Sequence, residues 1–375
     1  MSTVSSLKKR KKFVIGFAAM LLAGTGAAFA GSSLVSAPEP PTADPGFSKA
    51  IELGDYGLDY ATTGASQIRA DGGGKSGSDC SAYNTSSSSA SLSVPADATP
   101  VKAYLYWVGL EQHGGRGFPS VQKLGSEASF TSAGVSHTVT ATKRMVANGA
   151  FNGGPVQYAA YQADVTSLIM GSMSGNYSVA ITGGIPSLCA YQGENLRSWQ
   201  LVMVYDTPAT DFSKVYIFDG LQYLVDATAD INISGYLAPA GRTSKLTAFL
   251  GQGDTSLDGE YATTSDSLFP DFNANFADET VNGSAPTANG QAIDIDTLTG
   301  QLTPNSTSMN ITMGTNRDVI VPITFVLQMA SFPDGVTPPA SSSTTPILPT
   351  VVTQPIPPTD APTTTTSTIP SYPAT

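Results

Sequence analysis

The run from Ser198 to Leu221, SWQLVMVYDTPATDFSKVYIFDGL, carries the hydrophobic pattern from which the fold is read. Trp199, Leu201, Met203 and Tyr205 alternate with Gln200, Val202, Val204 and Asp206, so both faces are largely apolar, as a strand covered on two sides requires. Thr207, Pro208 and Asp211 then stop the strand, and apolar residues resume from Lys214 to Asp219. The two runs predict a buried β-hairpin. Val101 to Leu110 repeats the pattern, with Val101, Ala103, Leu105 and Trp107 on one face and Tyr104, Tyr106 and Val108 on the other.

Further short β-branched or aromatic runs predict strands at Ala90 to Val94, Val135 to Thr142, Tyr177 to Thr182, Ile231 to Leu237, Lys245 to Leu250, Ser308 to Met313 and Val319 to Met329. One helical turn is expected at Asp164 to Met170, with Asp164 capping its amides. The predicted fold is all-β, a large antiparallel β-sandwich of jelly-roll type over residues 48–332, built as one domain or as two packed subdomains.

The two ends read differently. Lys8 to Lys12 is basic throughout, Phe13 to Ala23 is apolar, and small residues follow to Ala28-Phe29-Ala30, the layout of a secretory signal peptide cleaved after Ala30. The apolar run is too short for a span of ~20 residues, so no transmembrane segment is expected in the mature chain. Residues 31–47, with Pro38, Pro40, Pro41 and Pro45, read as a flexible linker, and residues 333–375 as a disordered Thr/Pro-rich tail acting as a spacer.

Export changes the charge. Residues 1–30 hold five of the 18 basic residues and none of the 29 acidic ones, leaving 13 against 29 and a net charge of −16. That balance disfavours nucleic acid as a partner. Cys80 and Cys189 are the only cysteines and both lie in the exported part, which predicts one disulfide worth ~4 to 5 kcal/mol on the chain-entropy model.

Candidate chemistry is sparse. Asp254, Ser256 and Asp258 alternate ahead of Gly259, resembling the first half of a calcium loop, but Ser265 stands at the twelfth position and Asp266 one further on. Asp294 and Asp296, on one face of an extended segment, are the candidates to complete a structural calcium site; ordinary turns and a solvated face are the alternative. Gln112, His113 and Arg116 lie in a glycine-rich loop that reads as a binding loop or a plain connector. With no G-x-S-x-G elbow and two histidines in the chain, catalysis is not expected. Tyr83, Tyr158, Tyr161 and Tyr191 could stack on sugars or pack in the core.

Ala103 to Trp107 (AYLYW), Ala163 to Leu168 (ADVTSL), Ser198 to Leu221, Gly251 to Asp254, Ser265 to Leu268 and Ala292 to Thr297 together resemble a family of exported bacterial surface proteins with a large, functionally uncharacterised β domain. The resemblance implies an extracytoplasmic surface or matrix role and transfers no catalytic residue. The expected function is therefore a secreted or cell-surface, non-enzymatic protein with a structural, adhesive or ligand-binding role. Its partner would be an extracellular glycan, matrix or surface protein; the alternative is a carbohydrate-active jelly roll, either a sugar-binding module or a glycoside hydrolase.

Overall fold

Strands that are apolar on both faces must be covered on both sides, and the chain meets that demand by stacking four β-layers. The computed structural model describes residues 42–43, 46–67, 86–113, 121–151, 154–169, 173–186, 196–251, 259–272, 293–316 and 319–336. The first central sheet has the order β1 (Thr42–Ala43), β9 (Lys143–Phe151), β10 (Gly154–Asp164), β5 (Thr99–His113), β13 (Arg197–Asp206) and β3 (Leu58–Ser66). The second runs β19 (Ile293–Gln301), β17 (Thr243–Gly251), β21 (Val319–Ala330), β14 (Phe212–Asp219) and β2 (Ser48–Tyr56), with β15 (Leu224–Val225) added beside β21.

An N-terminal outer sheet, β4 (Ser88–Leu92), β11 (Gly175–Ile181), β7 (Glu127–Ser132) and β8 (Val135–Thr140), covers the first central sheet. A C-terminal outer sheet, β16 (Thr228–Ser234), β20 (Ser308–Thr315) and β18 (Glu260–Thr264), covers the second. A short ladder joins β6 (Val121–Gln122) to β12 (Ile185–Pro186). Among the described residues β1 and β9 pair in parallel, and the other pairings between strands are antiparallel. The predicted all-β antiparallel class is what forms.

Side-chain parity allots the cores. Leu105, Trp107, Trp199 and Leu201 point outward to Phe130, Tyr177 and Val179. Their neighbours Tyr106, Val108, Val202 and Val204 point inward to Val215, Ile217, Ile295 and Ile323. On the far side, Tyr216, Leu246, Phe325 and Leu327 meet Ile231, Ile233, Met309 and Ile311.

The expected hairpin does not form. β13 pairs with β3 and β5, whereas β14 pairs with β2 and β21, so residues 207–211 arch from one central sheet to the other. In facing sheets Val202 and Val204 bury face to face against Val215 and Ile217, whereas in a hairpin the same residues would stand side by side and still need another layer to cover them. β2 and β3 make the matching crossing through Gly57 alone. Tyr158 and Tyr161 are fully buried core residues rather than sugar platforms, and Tyr83 and Tyr191 lie outside the described residues.

The helical turn, α1 (Thr166–Ile169), forms as expected, with the Asp164 carboxylate accepting the Thr166 N–H at 2.9 Å. The lead-in joins the fold at two points: β1 pairs with Arg144 and Met145, and Phe47 packs edge-on to Phe325 at 5.2 Å. Residues 1–41 and 337–375, with the predicted signal peptide and most of the tail, lie outside the described residues.

Candidate functional site

The stack has two unlike ends. At one, here the loop end, β3 and β5 finish, β13 begins, β17 finishes, and β19 and β21 begin. Leu196, packed against the backbone of Gly251, ties the two central sheets together there. Of the five predicted site residues that are described, Gln112, His113, Asp294 and Asp296 belong to this end. Gln112 is exposed near the end of β5, and His113 is its last residue. Asp294 is fully buried and Asp296 partly buried, on the face of β19 opposite the core residues Ile293 and Ile295, so they share a face as predicted.

Arg116, Asp254, Ser256, Asp258, Cys80 and Cys189 lie outside the described residues, in segments 68–85, 114–120, 187–195 and 252–258. The flanks of the two cysteine-bearing segments meet. Gln67 donates its backbone N–H to the Arg197 carbonyl at 2.8 Å and its side-chain amide to Val179 at 2.7 Å, while the Arg197 guanidinium donates to the Ile181 carbonyl. Burial pulls that guanidinium down to about 10.

Asp266 is elsewhere. Its carboxylate accepts the backbone N–H groups of Leu268 and Thr303 at 3.0 Å and the Thr303 hydroxyl at 2.8 Å, past the far end of β19. Asp294 and Thr303 stand nine positions apart along a largely extended segment, roughly 30 Å, so no single ion can hold both Asp266 and Asp294. Among the described residues, no group of three or more Asp, Glu, His or Cys side chains is placed to hold a metal.

Burial pushes the Asp266 carboxyl up, but the hydrogen bonds from Leu268 and Thr303 outweigh it and hold the carboxyl below its usual range. Asp266→Ala is therefore expected to cost about 2 to 3 kcal/mol at pH 7. A depressed carboxylate contributes its stability above the unfolded-state pKa and loses it as pH falls through the folded one. Urea titrations should thus show the variant's deficit constant from neutral pH to about pH 4 and shrinking as pH falls further.

The opposite, corner end is where both crossings lie. Gly57 donates its N–H to the Asp211 carbonyl at 2.8 Å, and its carbonyl accepts the Thr207 N–H at 3.0 Å and the Thr207 hydroxyl at 3.1 Å. Two cavities flank this knot and share Thr207 and Ala209. The first, about 550 Å³, is lined by Asp59, Tyr205, Asp211, Arg242, Thr243 and Gln328 among others. Its charges are paired: Lys245 sits 2.7 Å from Asp59 and 4.2 Å from the Tyr60 ring centre, and Arg242 lies 3.5 Å from Asp211. Tyr205 donates to Asp59 at 3.1 Å, and burial, then the adjacent Asp59 charge, keeps its phenol protonated far above its ordinary range.

The second cavity, about 730 Å³, is lined by Asp55, Tyr56, Asp97, Thr99, Asp206, Thr207, Pro208 and Ala209, with no cation among them. Tyr56 is 51% exposed and stands edge-on to Phe212 at 5.4 Å. Asp206 Oδ1 is buried with no hydrogen-bond partner among the described residues. Acceptors beside a free aromatic face suit a hydroxyl-rich ligand with an apolar side. Sequence reading passes over this site; its one local signal is the alternation of acids and aromatics in Asp55-Tyr56-Gly57-Leu58-Asp59-Tyr60.

Asp219, the last residue of β14, is fully buried and pairs with Lys143 across the core between the central sheets.

No known family model matches the sequence, and neither curated proteins nor solved structures contain a match to the chain.

Proposed function

We propose that this is an exported, non-enzymatic surface or matrix protein that binds its partner through the loop end of the stack while the Thr/Pro-rich tail holds it at the corner end. The observation that carries the reading is the opposition of these two ends. β21 runs twelve residues, roughly 40 Å, from the loop end to Ala330, which pairs with Ser213. The chain then turns past Phe332, whose N–H bonds Leu237, and Asp334 pairs with Lys214 at 2.8 Å. A spacer beginning at residue 333 starts on the side away from the loops, which supports their being presented outward.

A second reading, sugar binding at the corner, is favoured by Tyr56 standing exposed beside the unpartnered Asp206 oxygen. One experiment separates the two: a glycan and matrix-protein binding screen of the mature chain, with and without calcium. Loop-end binding should fall at least tenfold in Gln112→Ala and be unchanged in Tyr56→Ala; corner binding should show the reverse. No ligand in the screen would sink both readings. A structural calcium ion at Asp294 and Asp296, proposed because Asp294 pairs with Leu250 at the root of segment 252–258, predicts a calcium-dependent melting temperature in the same preparation.

The Cys80–Cys189 disulfide is also proposed, supported by the meeting of the segment flanks at Gln67 and Arg197. Alkylation of the secreted protein without reduction should label neither cysteine; labelling of both would remove the pairing.

A further inference from the structure

We propose that Lys143 and Asp219 condense into an intramolecular amide that fastens the two central sheets to each other. Lys143 opens β9 in the first central sheet and Asp219 closes β14 in the second, and their side chains meet across the shared core with Nζ 2.5 Å from Oδ1. The second carboxylate oxygen accepts the hydroxyl of fully buried Tyr106 at 3.4 Å. Each reacting group is therefore held in place, which for well-oriented partners is worth about 10⁵ M or more in effective concentration.

Burial distinguishes this pair from the other lysine–carboxylate contacts. The Asp219 side chain is wholly shut off from solvent and Lys143 is 24% exposed, whereas the carboxylates facing Lys49, Lys102, Lys214 and Lys245 are all at least one-third exposed. Glu111 is also buried, but its partner Arg144 is a guanidinium and no nucleophile. Charges kept from water are costly unless their pairing compensates, and moving the proton from the ammonium to the carboxylate leaves a neutral amine beside a neutral acid. Burial pushes the Asp219 carboxyl upward, against the pull of Lys143, which favours the protonated acid.

The step balances without a co-reactant. The Nζ lone pair of the neutral amine attacks Cγ of the protonated carboxyl and forms the C–N bond. Tyr106 steadies the oxygen that gains charge. The other oxygen leaves with the acid proton and one amine proton as water. No electron is gained or lost, and the product is an ordinary secondary amide. The inference stands apart from the binding proposal, since it concerns the core between the sheets and no ligand.

Peptide mapping of the secreted protein tests it. Trypsin should release Leu124–Arg144 joined to Val215–Arg242, lighter by one water than the two together and uncleaved after Lys143. The linked species should be absent from Lys143→Arg, which keeps the charge but cannot condense. Free Asp219 peptide and cleavage after Lys143 in the folded wild type would overturn the proposal.

Discussion

Gly57→Ala is expected to destabilise the protein by about 3 to 5 kcal/mol, read as a lower urea midpoint with an unchanged slope. Gly57 has φ of 73°, a left-handed conformation that costs an alanine roughly 1 to 2 kcal/mol. A Cβ there would also stand 2.0 Å from the Thr207 carbonyl oxygen and 2.9 Å from Asp206 Oδ1, so the 207–211 arch must move away. Moving it breaks the bonds that join Gly57 to Asp211 and Thr207, at about 1 kcal/mol each. Gly134→Ala provides the comparison. Its φ is 78°, but nothing lies within 4 Å of the added carbon, so only the conformational cost of about 1 to 2 kcal/mol applies. Equal losses in the two variants would mean that the corner is not a packed knot. The same knot walls both cavities, so Gly57→Ala should also disturb anything bound there.

What the sequence discloses about this fold follows from what hydrophobic patterning can encode. Runs apolar on both faces, as in Val101 to Leu110 and Trp199 to Val204, state their two-sided burial directly, and both prove to be central strands. The same runs are silent on partners. A hairpin and an arch between facing sheets have the same local sequence, strand, polar break and strand, so residues 207–211 alone predict the more local structure. β9 and β10 escape notice because KRMVANGAF and GPVQYAAYQAD are rich in Ala, Gly, Asn and Gln, residues with weak strand preference that are recruited here by pairing with β5. The site divides in the same way. That Asp294 and Asp296 share a face follows from the period of a strand, but the distance of Asp266 from them depends on which end of β19 its loop reaches. The corner cavities are assembled from residues 55–59, 95–99, 205–213, 241–243 and Gln328, whose meeting is a property of the tertiary fold.

Trp199→Ala should remove about 3 to 5 kcal/mol, the range for truncating a buried tryptophan. Trp199 is fully buried, lies opposite Trp107 in the β13–β5 register, and faces the N-terminal outer sheet. Its indole N–H donates to the Ser88 hydroxyl at 2.8 Å, so the outer strand β4 is held to the central sheet by a polar contact within an apolar layer. Trp199→Phe keeps most of the buried area and loses that bond, and its expected cost is about 1 to 2 kcal/mol. Combining it with Ser88→Ala should recover part of the loss, because the hydroxyl left without its donor is removed as well. Purely additive losses would show that the indole acts by volume alone. The effect should also be uneven along the molecule. Ser88 follows segment 68–85 and Arg197 follows segment 187–195, so Trp199 sits where both cysteine-bearing segments rejoin the sheets. Truncating it should therefore raise amide exchange around Gln67 and Arg197 more than around Gly57, and a uniform rise would mean that the two ends of the stack open as one unit.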